Sequence, residues 1–300
     1  MAPYNGPRER SVQQLLALAA SPGKLLQIAT ELGIGGPAST APSPAAPLSQ
    51  ADLAERRWLV RDGMGGLAHV LSPEECGAWV RGIRALRGQA LPATFLYAFD
   101  EPWALGELLC ERISAITGHT YALIEDAWAW EIPPGEGGWP PHRGIRHERL
   151  DREAPEVLNV WVALSDVAAD RGCMHAIPLD EDPQYPAALD RVDAPLSAVR
   201  ALPVAAGTAL FWNANLLHWG GRCAARAEGP RVSCSFTLRR ADATHRFPEL
   251  VTVARRDLAH RMDLIARMVL VYGHDQPDIS DAVREWATLT HALTTRFSGP

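Results

Sequence analysis

The stretch VLNVWVALSDVAADRGCMHAI, residues 157–177, decides the fold. An apolar run at 157–164, interrupted only by Asn159, is followed by a polar turn that ends in Gly172. A second short apolar run covers 173–177. Short runs rich in Val and Trp, bounded by turn formers, read as strands. Working outward, the same texture recurs at 125–132, 199–204, 207–212 and 231–239. Several short strands with Gly, Pro and Asp between them imply an antiparallel sandwich or barrel.

On both sides of this core the apolar period becomes helical. Leu15, Leu16 and Leu18, then Leu25, Leu26 and Ile28, mark two short helices within 9–33, the second opened by Ser21 and Pro22. Residues 34–50, rich in Gly, Pro, Ser and Ala, read as a flexible linker or mobile loop. Helices are expected over 51–62, 72–87 and 103–117, and again over 251–272 and 279–297. Ser72 caps the second of these, with Glu74 and Glu75 near the positive end of its dipole. A length of 300 residues is long for one core and short for two. The fold class expected is α+β with a mainly β core. An N-terminal helical extension and linker (1–50) precedes a single domain (51–300), made of helices (51–120), the β core (121–240) and C-terminal helices (250–298). The N-terminal helices either dock a partner or pack on the core as a flap.

Composition narrows the function. Apolar residues make up 47% and charged residues 21%, as in ordinary globular proteins. A net charge of -6 argues against a nucleic-acid partner, which wants a basic surface. No apolar run is long enough for a membrane span, and MAPYNGPRER lacks the apolar core of an export signal. Cys76, Cys110, Cys173, Cys223 and Cys234 are odd in number and form no C-x-x-C pair. A disulfide framework or structural zinc site is therefore not expected, and a reducing cytoplasm fits.

Three groups in the β core carry chemistry. His142 follows a strand and the loop PPGEGGWPP. His218 follows TALFW and NANLL. Arg231 opens the last strand of the core, and Ser233 shares its face two residues on. Two neutral imidazoles suit Fe(II) and leave positions for small ligands. The arginine fork pairs with a carboxylate through two parallel hydrogen bonds. One histidine among ten would mean little. The order His, strands, His, then Arg and Ser on the next strand gives the set its meaning.

WPPHRG, VLNVWVALSDVAADRGCMHAIPL, VRALPVAAGTALFWNANLLHWGG and PRVSCSFTLRR together resemble the phytanoyl-CoA dioxygenase family of iron- and 2-oxoglutarate-dependent oxygenases, over roughly residues 125–240. The resemblance implies a double-stranded β-helix, a jelly-roll of two sheets related to the cupins. It implies His142 and His218 as metal ligands and Arg231, helped by Ser233, as the holder of 2-oxoglutarate. The cofactors implied are Fe(II), 2-oxoglutarate and O2. Asn159, polar within an apolar strand, either touches 2-oxoglutarate or substrate or makes a structural hydrogen bond. Trp128, Trp130, Trp139 and Trp161 either wall a substrate pocket or form plain aromatic core. Asn213 either lines that pocket or satisfies turn backbone.

One position departs from the family pattern. The family's carboxylate stands two residues after the first histidine, where this chain has Gly144. Three readings follow. Gly144 vacates a site for chloride or bromide, with Arg143 or a water as its donor, and the chain is a halogenase acting on an unactivated C–H bond. Alternatively Glu148 or His147 folds back, or no acid is needed, and the chain is a hydroxylase. Or catalysis is lost and a jelly-roll binding protein remains. In each enzymatic reading the partner is a small molecule, free or carrier-bound.

Overall fold

The computed structural model describes residues 10–35, 49–144, 151–193, 195–243, 257–276 and 279–297. The expected linker lies almost wholly outside them, as do His147 and Glu148. In chain order the helices are α1 (Val12–Ala19), α2 (Pro22–Ile28), α3 (Gln50–Asp62), α4 (Pro73–Arg87), α5 (Glu101–Thr117), α6 (Leu258–Tyr272) and α7 (Asp281–Phe297). The strands are β1 (Met64–Leu67), β2 (Tyr121–Ile132), β3 (Val157–Ala163), β4 (Met174–Ala176), β5 (Arg200–Leu202), β6 (Ala209–Asn213), β7 (His218–Gly220) and β8 (Arg231–Arg240).

Capping chemistry starts the helices where the sequence places it. In α4 the Ser72 hydroxyl accepts the Glu75 N–H at 3.2 Å while the Glu75 carboxylate accepts the Ser72 N–H at 2.7 Å. Ser49 and Asp52 form the same reciprocal pair at α3. Ser21 precedes Pro22 as expected, but its side chain makes no capping bond.

Five strands form one antiparallel sheet in the order β1-β6-β3-β8-β2, and three form another, β5-β4-β7. This is the two-sheet jelly-roll. β3 sits at the centre of the large sheet, which explains the near-continuous apolar run. Leu158, Val160 and Val162 face the helical layer and join the main core, while Trp161 and Ala163 face the second sheet. Phe211 and Phe236 bury completely on the helical side, and full burial of side chains of this size contributes roughly 1.5–3 kcal/mol each. The N-terminal helices pack rather than project. Leu15, Leu18 and Leu25 are buried in the same core, α1 against α7 and α2 against α4. All five cysteines are free thiols. Among the described residues no helix is long and apolar enough to cross a membrane.

Two strands differ from expectation. β1 lies in a segment expected to be helical, because its MGGL sequence has too little side chain to signal a strand and gains one only by pairing with β6. β7, three residues long, exists through its ladder with β4.

Tyr97 ties the helical side to the strands that build the site. It lies in a 3-10 turn at Ala93–Ala98, fully buried. Its hydroxyl donates to Ser235 O at 2.5 Å, lies 3.0 Å from Trp128 O and accepts the Ser235 N–H at 3.2 Å. Tyr97→Phe leaves those buried backbone groups without a partner, which costs about 1–3 kcal/mol. Urea unfolding will show a lower midpoint with an unchanged slope; an unshifted midpoint refutes the role.

Candidate metal and co-substrate site

The two sheets enclose a cavity of about 300 Å³. His142 lies in the loop after β2 and His218 opens β7, and the two residues exchange backbone hydrogen bonds in both directions at 3.0 Å. That exchange brings the imidazoles to a centroid separation of 4.2 Å. Each ring is oriented by its own loop: His142 Nδ1 lies 2.8 Å from Pro140 O and His218 Nδ1 lies 2.9 Å from Leu216 O. A carbonyl accepts only, so each Nδ1 carries the proton. Each Nε2 is left with a lone pair, as a metal ligand requires. Burial lowers the pKa of His142. It drives that of His218 well below the usual histidine value, assisted by His142 beside it. Both rings are therefore neutral donors at physiological pH.

Arg231 lies on the same cavity wall, its guanidinium packed against the backbones of Gly138 and Gly220. A Cβ on Gly138 would come within 2.8 Å of Nη2 and one on Gly220 within 2.9 Å of both Nη atoms, so only glycine permits this approach. Gly220 is two residues from His218, which fixes how near the cation stands to the imidazoles. Arg231 donates to Gly172 O, while its Nε has no partner. Among the described residues no carboxylate pairs with it. Burial brings its pKa down to about 10, which still leaves it charged at neutral pH. A buried cation whose fork is only partly used, and only by backbone carbonyls, stabilises an incoming carboxylate strongly. Ser233 is fully buried and its Oγ also lacks a partner, although it is not part of the cavity lining. This donor set fits Fe(II) on two imidazoles and 2-oxoglutarate on one guanidinium.

Gly144 lines the cavity two residues from His142, its N–H donating to Ala214 O at 2.7 Å. The space beside it is not simply open. A Cβ at Gly144 would lie 2.8 Å from Asn159 Nδ2 and 3.0 Å from Oδ1, and that Oδ1 has no hydrogen-bond partner. Asn159 therefore presents its amide where a side chain at 144 would begin. Arg143, expected as a donor to an anion there, is engaged elsewhere: its guanidinium pairs with Asp182 at 2.7 Å and donates to Asn215 O at 2.8 Å. Among the described residues, which leave out His147 and Glu148, no cluster of three His, Cys, Asp or Glu could hold a metal, so none of the described acidic side chains completes the histidine pair.

Trp128, Trp130, Trp139 and Trp161 all line the cavity. Asn213, expected on the substrate wall, does not. It is fully buried, and its Oδ1 accepts the Asn215 N–H at 2.9 Å, so it organises the turn before His218 instead. Sequence reasoning missed Asp126, Thr237 and Tyr272, which also line the cavity. Asp126 had a signal, an acid inside an apolar strand. Tyr272 had none, because α6 reaches the site only through tertiary packing.

Residues 99–231 match the family described as phytanoyl-CoA dioxygenase (PhyH), a span that contains His142, Gly144, Asn159, His218 and Arg231. No curated protein matches the chain. Two solved structures share the fold. AviO1 from Streptomyces viridochromogenes Tue57 is 19% identical, with a TM-score of 0.51, over 67% of this chain and 99% of its own. The non-heme alpha ketoglutarate dependent carbocyclase SnoK from nogalamycin biosynthesis is also 19% identical, with a TM-score of 0.51, over 73% and 96%.

Replacing Arg231 with Ala removes the one cavity-lining guanidinium among the described residues that has no carboxylate partner, and with it the expected holder of the co-substrate's far carboxylate. Hydrogen bonds to charged groups contribute about 1.5–3 kcal/mol, so the 2-oxoglutarate concentration for half-saturation should rise tenfold or more. Anaerobic titration of the Fe(II)-loaded protein, followed by charge-transfer absorption, measures it. An unchanged midpoint removes Arg231 from the co-substrate site. Melting temperature recorded in parallel separates this effect from loss of the bond to Gly172.

Proposed function

We propose that this phytanoyl-CoA dioxygenase-like chain is a non-haem Fe(II)- and 2-oxoglutarate-dependent oxidoreductase that halogenates an unactivated C–H bond of a small molecule. The oxidoreductase class rests on the family match and on a donor set that suits both groups. When bound, iron and 2-oxoglutarate supply the oxidising power for C–H cleavage, with O2 consumed and 2-oxoglutarate converted to succinate and CO2. The chain's own residues bind, orient and shield. His142 and His218 present two lone pairs, Arg231 fixes the co-substrate's far end, and the indoles of Trp128, Trp139 and Trp161 limit water near the reacting carbon.

The halogenase reading is carried by one observation: a glycine, not a carboxylate, stands beside the histidine pair, with an asparagine amide facing it. Removing an anionic ligand leaves excess positive charge at a divalent ion, which a halide neutralises. Asn159 Nδ2 is an N–H donor aimed at that region and suits a halide. Its unpartnered Oδ1 would be repelled, so the amide's orientation is part of the reading. The charged, unpaired Arg231 argues against a binding protein that has lost catalysis, since a buried cation without a ligand is costly to keep.

Because Asn159 occupies the space, Gly144→Asp alone will strain the site, and Gly144→Asp with Asn159→Ala is the informative variant. In the wild type, saturating chloride or bromide should shift the anaerobic Fe(II)–2-oxoglutarate absorption. The double variant should bind iron and 2-oxoglutarate with no halide response. A wild-type spectrum indifferent to both halides removes the halogenase reading, and the hydroxylase takes its place.

A further inference from the structure

The cavity has a second end, marked by a carboxyl group, away from the histidine pair and Arg231. A register shift in the β2–β8 ladder falls between Leu123 and Ala127, and the bulged segment carries Asp126. Bulges re-aim side chains, and here Asp126 turns into the cavity alongside Trp128 and Trp130. Its two oxygens each accept one hydrogen bond at 2.8 Å: Oδ1 from the Tyr272 hydroxyl and Oδ2 from the Thr237 hydroxyl. No cation among the described residues pairs with it. The nearby Arg267 goes to Asp263 at 3.1 Å and to Glu125 at 2.5 Å. A carboxylate has room for about four hydrogen bonds, so Asp126 keeps acceptor capacity after both contacts. Burial raises its pKa, against the pull of Tyr272 and Thr237, and an added positive charge would stabilise its ionised form.

Aromatic rings wall this end. Tyr272 is met edge-on by Trp128, with centroids 5.8 Å apart at 76°, and by Trp139, 5.7 Å apart at 87°. Trp139 is also 6.2 Å from His142, so one indole separates the carboxylate's aromatic wall from the imidazole pair. Arg231 and Thr237 stand six residues apart on β8, about 20 Å at the rise of an antiparallel strand. A guanidinium and a carboxyl group thus mark opposite ends of one cavity. The guanidinium end suits an anion; the carboxyl end, ionised once a cation stands beside it, suits that cation.

We infer that the substrate carries a protonated amine. Its ammonium pairs with Asp126 against the faces of Trp128, Trp139 and Tyr272, and its carbon skeleton runs towards His142 and His218. A carboxylate and aromatic rings together favour ammonium over a neutral hydroxyl, through a charge-assisted hydrogen bond and cation–π attraction. This deepens the reading of the cavity as an oxidoreductase site, and rests on it only for the reactive end.

The test uses probes that share a skeleton and differ in head group: 2-phenylethylamine, 2-phenylethanol and phenylacetate, with n-hexylamine and n-hexanol as a second series. Calorimetric titrations are run on the protein with and without anaerobic Fe(II) and 2-oxoglutarate. The wild type should bind each amine at least tenfold more tightly than its alcohol, and phenylacetate least well at this end. Asp126→Asn, near-isosteric, should bring amine and alcohol to equal affinity; Tyr272→Phe, which keeps the ring, should retain the amine preference. No measurable amine binding, equal affinity for amine and alcohol in the wild type, or an amine preference that survives Asp126→Asn overturns the proposal. Amine preference without iron binding would sink the oxidoreductase reading alone. Normal iron and 2-oxoglutarate binding without amine preference would sink this one alone.

Discussion

Two reciprocal backbone hydrogen bonds, between His142 and His218, are the constraint on which the rest of the site depends. They join a loop of the first half of the core to a three-residue strand of the second. Neither segment has enough ladder of its own to fix a side chain. Once paired, the backbones leave the imidazoles one arrangement, and the carbonyls of Pro140 and Leu216 then set the tautomer of each. The order of causes matters. Main-chain geometry places the rings, local carbonyls assign the protons, and burial keeps both rings neutral. A metal ion would find its two nitrogen donors preorganised, with little side-chain entropy left to lose.

The sheet extends that placement across the cavity. In the large sheet Trp212 pairs with Asn159 and Asn159 with Thr237, so three side chains on three strands form one rung. Trp212 also packs against His218, with centroids 4.7 Å apart. Gly144 abuts Asn159 at the middle of this rung, while Thr237 reaches Asp126 at one end. Substitutions at 144, 159 and 237 should therefore not be independent, because neighbours in contact couple energetically. Arg231, at the start of β8, lies off the rung and is held by loop carbonyls and glycine backbones instead. The Arg231 end and the Asp126 end of the cavity thus share strand β8, while Asn159 and Trp139 lie between the histidine pair and Asp126.

How much of this is legible in the sequence depends on whether a residue's neighbours are local. β3 declares itself because both its faces are covered, one by helices and one by a sheet, so its run is apolar apart from Asn159. α3 and α4 declare themselves through Ser49 with Asp52 and Ser72 with Glu75, pairs only three residues apart. β1 and β7 stay hidden because their identity comes from partners across the fold. The same division runs through the site. Order and residue type along the chain bring out His142, His218 and Arg231. Asp126 and Tyr272 meet across 146 residues, which no local pattern reports. Asn213 shows the opposite case: a polar residue near a histidine invites a functional reading, and a short-range bond to Asn215 accounts for it.

Gly144 shows why a missing side chain cannot be read as empty space. From sequence, a glycine in place of a carboxylate implies volume and a lost negative charge. In the fold only the charge argument survives intact, because Asn159 from the adjacent strand leans into the volume. A neutral amide there changes the electrostatics less than an aspartate would, yet it offers a donor where aspartate offers only acceptors. Under the proposed halogenase reading, the exchange would put a hydrogen-bond donor, suited to an anion, where the family pattern has a carboxylate. With Arg143 held by Asp182, Asn159 is the polar side chain closest to Gly144 that can supply that donor. Under that reading, selectivity between an anion and water at this position would turn on the orientation of one amide, on a residue flanked in the sheet by Trp212 on one side and Thr237 on the other.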